Sequence, residues 1–220
     1  MTYHLSFDLS FTTNKYPGKY YAIEGIDGSG KTTQVEKLAE YFHRQGKNVS
    51  ITKEPTDGVI GKLIRQVLEK RIHIPFISLQ YLFCADRAVH LEQEVIPALK
   101  AGKFVLSDRS LWSSVAYGIT DLSLQENEKE RLLMAYNLLS LYGGFLIPDK
   151  TFFLEVPADV AMKRMDQRKA LTIYEKKEKL QRIEKEYQWL AQEFGDFITL
   201  VEGNHKLTIH EVHSLVVSSL

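Results

Sequence analysis

A glycine-rich segment near the N-terminus carries the residue types that bind phosphate groups. It reads Gly25-Ile26-Asp27-Gly28-Ser29-Gly30-Lys31-Thr32-Thr33, which is the pattern G-x-x-x-x-G-K-T. Glycines let backbone N–H groups turn inward onto phosphate oxygens, and the N-terminus of a following helix adds the positive end of its dipole. Lys31 would reach the outer phosphates, and the Thr32 hydroxyl can coordinate Mg²⁺. We therefore predict a nucleoside triphosphate site at residues 25–33 rather than an ordinary glycine-rich turn.

Two further motifs have the chemistry to hold a second substrate. In Thr52-Lys53-Glu54-Pro55-Thr56 the proline favours an extended backbone at Glu54. In Leu82-Phe83-Cys84-Ala85-Asp86-Arg87 the aromatic ring and the guanidinium are four residues apart and share one helix face. Such a pair can stack on a base and hydrogen-bond its edge. Taken alone, however, core packing explains Phe83 and a surface ion pair explains Arg87 better.

A third motif, Ser107-Asp108-Arg109-Ser110, ends an apolar run. An aspartate there can hold Mg²⁺ or its waters, and an adjacent arginine can clamp a phosphate through two hydrogen bonds. Asp108 is therefore a candidate metal ligand beside Thr32, and Arg109 is a candidate catalytic residue.

The elements that must position these residues alternate between short apolar strands and amphipathic helices. The predicted strands are Tyr20–Glu24, Val49–Thr52, Phe104–Ser107, Thr151–Glu155 and Phe197–Val201. The predicted helices are Lys31–Gln45, Val59–Leu68, Pro75–Lys100, Asn127–Leu141, Asp159–Arg168, Glu175–Phe194 and Ile209–Val217. Continuous apolar strands between helices indicate a parallel sheet covered on both faces. We predict a three-layer α/β P-loop fold with a five-stranded parallel sheet, whose ligands bind beyond the carboxyl ends of the strands.

The first nineteen residues differ from the rest and are predicted to form an N-terminal extension to one domain at 20–220. Residues 3–11 alternate apolar and polar side chains, which is typical of a half-buried strand. Residues 12–19 contain Pro17-Gly18 and indicate a linker. A flexible leader is the simpler interpretation, and a strand that pairs with a sheet edge is the alternative.

Composition narrows the function classes. The 220 residues include 28 basic and 28 acidic side chains, so no bulk positive charge favours nucleic acid. The uncharged run Leu132–Pro148 includes polar residues and falls short of the about 20 apolar residues that span a bilayer. A single cysteine, Cys84, excludes an intramolecular disulfide and fits a reducing compartment. We expect a cytoplasmic protein with neither nucleic acid nor membrane as partner.

Five segments in fixed order resemble the thymidylate kinase family. They are EGIDGSGKTTQ, KEPTDG, LFCADRAVHL, LSDRSLWSSVAYG and PDKTFFLEVPADVAMKR, and the likeness runs from about Tyr20 to the C-terminus. The ordered set is specific, although no later motif is specific alone. The resemblance implies phosphoryl transfer from ATP to dTMP with Mg²⁺, a five-stranded parallel sheet and a homodimer.

The resemblance also implies roles for individual residues. Asp27 would lie near the nucleotide sugar and the attacking phosphate, and Asp108 near Mg²⁺. Arg109 would hold the dTMP phosphate. The remaining implied dTMP contacts are Glu54 of the family's Arg-Glu-Pro motif, Phe83 on thymine, Arg87 on its O4, Ser113 and Ser114 as a polar pair with Ser114 at the base, and Tyr117 against the deoxyribose.

Three positions depart from the family pattern. Lys53 stands where the family usually has Arg, Ser110 where it usually has Tyr, and Gly118 where bacterial members often have Gln. Loss of the Tyr ring opens volume beside the monophosphate, which we expect Trp112 to fill. These changes leave the kinase interpretation intact but keep open a kinase for another pyrimidine nucleoside monophosphate. A nucleotide-binding regulatory NTPase is the alternative from another functional class.

The positive charge that phosphoryl transfer requires is expected from a lid at about residues 164–177. Some family members carry an arginine in the P-loop, where this chain has Gly28. Residues 163–185 hold nine basic and four acidic side chains. A solvated helix face explains residues 176–185. Arg168 and, second, Arg164 are the candidates for the catalytic lid arginine.

Overall fold

In the computed structural model, residues 10–122, 128–165, 173–174, 176–204 and 206–220 are described. A five-stranded sheet lies at the centre, and each neighbouring pair of strands is parallel. Its strands are β1 (Lys19–Glu24), β2 (Val49–Lys53), β3 (Phe104–Asp108), β4 (Lys150–Glu155) and β5 (Ile198–Glu202), in the spatial order β2-β3-β1-β4-β5. The predicted five-stranded parallel sheet is confirmed.

Helices cover both faces of the sheet. They are α1 (Lys31–Arg44), α2 (Val59–Leu68), α3 (Phe76–His90), α4 (Ile96–Lys100), α5 (Leu111–Leu122), α6 (Glu128–Ser140), α7 (Ala158–Met165), α8 (Lys177–Glu193) and α9 (Ile209–Ser218). A π-helical turn at Leu91–Val95 joins α3 to α4, so the long predicted helix over 75–100 changes its winding at that point. None of the described helices is long and apolar enough to cross a membrane.

Helix α5 is the element that the sequence pattern does not predict. Each of its residues from Leu111 to Thr120 is buried, because α3, α6 and α8 pack around it. None of residues 111–120 is charged, so the charged face that identifies surface helices is missing from this segment. Trp112 lies against Phe194 and Phe197, with ring centroids 5.3 and 6.3 Å away. The expectation that Trp112 fills the space beside Ser110 is therefore wrong.

The sheet brings three strand ends to one edge. β1 lies between β3 and β4, and the register places Ile23 and Lys53 on either side of Asp108. The loop after β1, the Glu54 turn after β2 and the Arg109 turn after β3 consequently lie side by side. This is the edge where parallel α/β sheets bind ligands.

Residues 10–18 lie against the loop that precedes β4. Thr12 pairs in parallel with Leu146: its N–H donates to Phe145 O at 3.1 Å, and its carbonyl accepts from the N–H of Ile147 at 3.0 Å. Asn14 Nδ2 donates to Asp149 Oδ2 at 2.8 Å. The segment expected as a linker therefore makes backbone pairing with the domain, while most of the alternating run, residues 3–9, lies outside the described residues.

Candidate active site

The loop at residues 25–33 joins β1 to α1 and has the backbone that its glycines permit. Gly28 and Gly30 have φ of +81° and +95°, in the left-handed region that favours glycine. The Lys31 ammonium donates to Ile26 O at 2.9 Å and so closes the loop upon itself. Burial and, second, the nearby Arg109 charge lower the pKa of Lys31 to about 8. Lys31 is thus a buried cation poised to gain a negative partner.

Helix α7 covers the loop at Gly28. A Cβ at this position would lie 2.5 Å from the carbonyl oxygen of Ala161, so a larger side chain would collide with α7. Arg164, one helical turn after Ala161, donates from Nη1 to Ser29 O at 3.3 Å. The space that an arginine at position 28 would need is therefore taken by the helix that carries Arg164 to the loop.

The two candidate metal ligands meet at the start of α1. Thr32 Oγ1 donates to Asp108 Oδ2 at 2.5 Å. A hydroxyl and a single carboxylate are the hard oxygen donors that Mg²⁺ accepts from proteins, since it completes its octahedron with water and phosphate oxygens. The described residues contain no cluster of three or more His, Cys, Asp or Glu side chains that could hold a metal. The donor set therefore fits a Mg²⁺ ion that arrives with a nucleotide.

Arg109 stands at the centre of the site in a strained conformation. Its φ of +80° is uncommon for a side-chain-bearing residue. Nη2 donates to Asp27 Oδ1 at 2.5 Å and to Tyr117 Oη at 3.1 Å. Nη1 donates to Ser113 Oγ at 2.8 Å and to Gly25 O at 3.1 Å. The guanidinium is thereby oriented by groups from two parts of the chain, the loop after β1 and helix α5.

The carboxyl of Asp27 is ionised beside these cations. Burial alone would raise its pKa, but the Arg109 and Lys31 charges outweigh burial and hold it below the ordinary value. Asp27 Oδ2 also accepts from Tyr117 Oη at 3.2 Å. Asp27 therefore balances the positive charge of Arg109.

A second buried ion pair links the Glu54 turn to α3. Glu54 accepts hydrogen bonds from Arg87 Nη2 and from His90 Nδ1, the latter at 2.8 Å. Burial raises the Glu54 pKa, but Arg87 and His90 outweigh this effect and leave the pKa lowered. Arg87 is only 4% exposed, so the surface ion pair that its sequence context suggested is wrong. Sequence reasoning missed His90, although its spacing of three from Arg87 places both on one helix face.

These groups line two cavities that share a wall. The larger, of about 450 Å³, is bordered by the glycine-rich loop, Lys53, Arg65, Asp108 and Arg164. The smaller, of about 220 Å³, is bordered by Phe83, Arg87, Ser110, Ser113, Ser114, Tyr117 and Tyr174, with Leu68 beside them. The shared wall consists of Asp27, Glu54, Pro55 and Arg109. A charged cavity thus meets a cavity with aromatic walls at Asp27 and Arg109.

Tyr174 borders the smaller cavity, and the sequence did not predict this role for it. Tyr174 meets Tyr117 edge to face at 4.7 Å between ring centroids, and its hydroxyl donates to Asp121. The N–H of Ile173 donates to Leu68 O at 3.1 Å, which ties this segment to α2. Nothing local marks Tyr174, because its position depends on α2 and α5. The lid candidate Arg168 lies outside the described residues.

Gly118 faces neighbouring helices instead of either cavity. A Cβ there would lie 2.6 Å from Leu138 Cδ1 and 3.1 Å from the Gln80 amide. The absence of a side chain lets α5 approach α3 and α6 closely. The departure from glutamine at this position thus has a packing reason.

Comparison with known proteins gives a consistent result. The model of the thymidylate kinase family matches residues 23–216. The probable thymidylate kinase of Pyrococcus horikoshii is 36% identical over 207 residues, covering 91% of this chain and 95% of that protein. The thymidylate kinase of Chlorobium luteolum is 33% identical over 208 residues, covering 90% and 94%. A solved structure of Candida albicans thymidylate kinase, described as having broad substrate specificity, has a TM-score of 0.77 at 25% identity, covering 92% of this chain and 90% of that one.

Proposed function

The chain belongs to the thymidylate kinase family, and from that premise we propose that it phosphorylates dTMP with ATP. The bond between the γ-phosphorus and the bridging oxygen of ATP breaks, and a bond forms to a phosphate oxygen of dTMP, which yields ADP and dTDP. The observation that carries the proposal is the meeting of two cavities at Asp27 and Arg109. One cavity contains a phosphate-binding loop, and the other contains an aromatic ring and an arginine suited to a base. Since its single cysteine fits a reducing compartment, we place the reaction in the cytoplasm.

ATP is expected to bind in the larger cavity. Residues 25–33 would surround its phosphates, with Lys31 on the outer ones. Thr32 and Asp108 would hold Mg²⁺, which neutralises and orients the phosphate oxygens when it is bound. The hydrogen bond from Lys31 to Ile26 O would give way to a phosphate contact, because a charged acceptor is the stronger partner.

The smaller cavity is expected to hold dTMP. Phe83 would stack on thymine, Ser114 would meet the base, and Tyr117 would lie against the deoxyribose. Arg87 Nε is buried and has no hydrogen-bond partner within the described residues. A buried donor of this kind is costly unless a ligand satisfies it, and a pyrimidine carbonyl oxygen would do so.

Little general base catalysis is needed, because the acceptor is already an anion and the transition state is loose. Positioning and charge neutralisation supply the rate enhancement. The acceptor phosphate would take over a hydrogen bond that Arg109 now donates to Asp27 or Tyr117. Asp27 would then be free to face the nucleotide sugar.

The missing positive charge on the moving phosphoryl group is proposed to come from the lid. We expect Arg168→Ala to lower kcat by about tenfold or more with little change in the KM for dTMP, because the arginine would act in the transition state. Arg164→Ala is measured alongside it, because Arg164 is the second candidate for the lid arginine and donates to Ser29 O in the glycine-rich loop at 3.3 Å. Lys185→Ala, on the exposed face of α8, is the control. Steady-state kinetics that show a wild-type kcat for Arg168→Ala would reassign the role.

The pH dependence should follow the lowered pKa of Lys31. In the free protein this pKa is about 8, so the ammonium is charged below that pH and neutral above it. We expect kcat/KM for ATP to fall as pH rises above about 8, approaching about tenfold per pH unit. The decline in kcat should begin at higher pH, since bound phosphates favour the charged lysine. A kcat/KM profile that stays flat through this range would contradict the assignment.

One assay tests the proposed function against its alternatives. ADP release is measured with ATP and Mg²⁺ in the presence of dTMP, of other nucleoside monophosphates, and of no acceptor. Release that depends on dTMP supports the proposal. Equal release with another pyrimidine monophosphate would broaden the substrate class, and equal release without acceptor would indicate a regulatory NTPase.

We also propose a homodimer through the outer faces of α3 and α6. Both helices pack on α5, and each exposes large apolar side chains. Tyr81 on α3 is 56% exposed and Leu133 on α6 is 59% exposed. The same two helices also expose Phe76, Ile77, Val89 and Tyr136. Several exposed apolar side chains on two helices indicate an interaction surface, whereas a single one does not.

The double variant Tyr81→Glu/Leu133→Glu should sediment as a monomer at a concentration where the wild type is a dimer, because charges oppose burial in an interface. Ile209→Glu, at a 57% exposed position on α9, is the matched control and should stay dimeric. Analytical ultracentrifugation measures all three proteins. A double variant that remains a dimer would place the interface elsewhere.

A further inference from the structure

The carboxylate of Glu24, the last residue of β1, is completely buried and satisfied by five hydrogen-bond donors. Oε1 accepts from the N–H of Ser110 at 2.7 Å, from its hydroxyl at 2.8 Å and from the N–H of Ser113 at 3.2 Å. Oε2 accepts from the Ser113 hydroxyl and from Tyr187 Oη at 2.9 Å. Glu24 lines neither of the two cavities. So many donors on one carboxylate outside the cavities require an explanation.

Two of these donors are backbone N–H groups at the start of α5. A carboxylate at a helix N-terminus satisfies donors that have no partner within the helix, and it interacts favourably with the helix dipole. Glu24 therefore ties the first turn of α5 to the end of β1. Arg109 lies immediately before this turn, and its own N–H donates to Ile23 O at 3.0 Å. The strained backbone of Arg109 is thus held to β1 from both sides.

A second path connects Glu24 to the guanidinium itself. The Ser113 hydroxyl donates to Glu24 and accepts from Arg109 Nη1 at 2.8 Å. Tyr187 Oη lies 2.7 Å from Ser113 Oγ and 3.5 Å from Arg109 Nη1. Burial and the Glu24 charge hold the pKa of Tyr187 well above its ordinary range, so the phenol keeps its proton. Glu24 consequently orients the groups that aim the Nη1 edge of Arg109.

We propose that Glu24 is a positioning residue that aims Arg109 at the acceptor phosphate. This inference rests on the proposed function, in which Arg109 binds the phosphate of dTMP. Glu24 lines neither cavity and acts through Arg109 and through Ser110 and Ser113, which border the smaller cavity. Arg109 is the charged group among these and would bind the phosphate, so we expect the largest effect of Glu24 on phosphate binding. Ser110, at one of the positions that depart from the family, supplies two of the five donors to this carboxylate.

The test compares dTMP with thymidine, which has the same base and sugar but no phosphate. In Glu24→Gln an amide NH₂ replaces one acceptor oxygen and faces N–H and O–H donors, so the hydroxyls of Ser113 and Tyr187 lose a charged acceptor and hold the Nη1 edge of Arg109 less firmly. We expect the dissociation constant for dTMP to rise about tenfold, while that for thymidine changes less than about twofold. Titration calorimetry measures both ligands. Equal weakening of both would indicate a general structural role, and unchanged dTMP binding would show that Glu24 does not position Arg109; either result overturns the proposal.

Glu155→Gln is the matched control. Glu155 also ends a strand, β4, but it accepts from Gln188 Nε2 at 3.0 Å on α8 and lines neither cavity. It should leave both dissociation constants unchanged. If Glu24→Gln does not fold, Tyr187→Phe decides the question, because it keeps the ring that stacks on Phe153 at 4.7 Å and removes only the hydroxyl. We expect it to weaken dTMP about threefold and to spare thymidine; an unchanged dTMP affinity would overturn the proposal.

Failure of the proposed function would look different. A wild-type protein that neither phosphorylates dTMP nor binds it more tightly than thymidine would remove the premise. If the wild type binds dTMP more tightly than thymidine and the variants do so by the same factor, the proposed function stands and only the role of Glu24 is contradicted.

Discussion

Replacing Lys31 with alanine should lower kcat by about 10²–10³-fold and leave the fold intact. Removing a single preorganised charge or donor from a transition state costs about 10²–10³-fold, and Lys31 is the P-loop lysine that would meet the outer phosphates. Its ammonium is buried at the loop, where a low dielectric strengthens such a contact. The measurement is steady-state ADP release at saturating ATP and dTMP.

Thermal unfolding provides the control for that variant. Burial lowers the pKa of Lys31 to about 8, which means that the folded protein holds the charged form at a cost. The alanine variant should therefore unfold cooperatively near the wild-type temperature. Lys37→Ala, in an exposed ion pair on the same helix, should keep both kcat and stability. Loss of folding in Lys31→Ala, or a wild-type kcat, would contradict the role.

Replacing Arg87 with alanine should lower the free energy of unfolding by about 3–5 kcal/mol, because it leaves the Glu54 carboxylate buried without its cation. The Glu54 and Arg87 side chains are 7% and 5% exposed, so the carboxylate has little contact with bulk water. The guanidinium also lies over the Tyr142 ring at 5.1 Å, and this contact is lost as well. Urea unfolding measures the change.

A double variant separates the ion pair from simple packing. In Glu54→Leu/Arg87→Met both charges are replaced by apolar side chains, so no buried charge remains unpaired. It should be clearly more stable than Arg87→Ala. A double variant as unstable as the single one would show that packing dominates.

The loss of unfolding free energy in Arg87→Ala should depend on pH, and the lowered pKa of Glu54 sets the direction of this dependence. In the wild type the folded pKa of Glu54 is lowered, so its contribution is present above the unfolded pKa and disappears as pH falls through the folded pKa. In Arg87→Ala the buried carboxyl prefers its proton, so acid relieves the penalty. The stability gap between the two proteins should therefore narrow from neutral pH to about pH 5. A gap that stays constant would contradict the explanation.

Much of the fold was predictable because its signals are local. The glycine-rich loop specifies its backbone through residues such as Gly28 and Gly30, whose positive φ values need no distant partner. The strands are recognisable because both faces of the sheet are covered, which makes them continuous apolar runs. Helix α5 was not predicted, because it is buried on all sides and residues 111–120 carry no charge, so it lacks the charged face that marks a surface helix.

The sequence by itself determined the parallel α/β sheet and the backbone of the glycine-rich loop, and through the family resemblance it predicts which residues contact dTMP. Only the tertiary structure decided how those residues are held. Glu24 hydrogen-bonds Ser110 and Tyr187, which lie 86 and 163 residues later in the chain. Helix α7, which follows β4 in the sequence, packs against Gly28. Such contacts have no sequence signature, because a buried charge needs partners in space and can take them from any strand or helix. Backbone conformation and periodicity are local properties, whereas the satisfaction of buried polar groups belongs to the assembled fold.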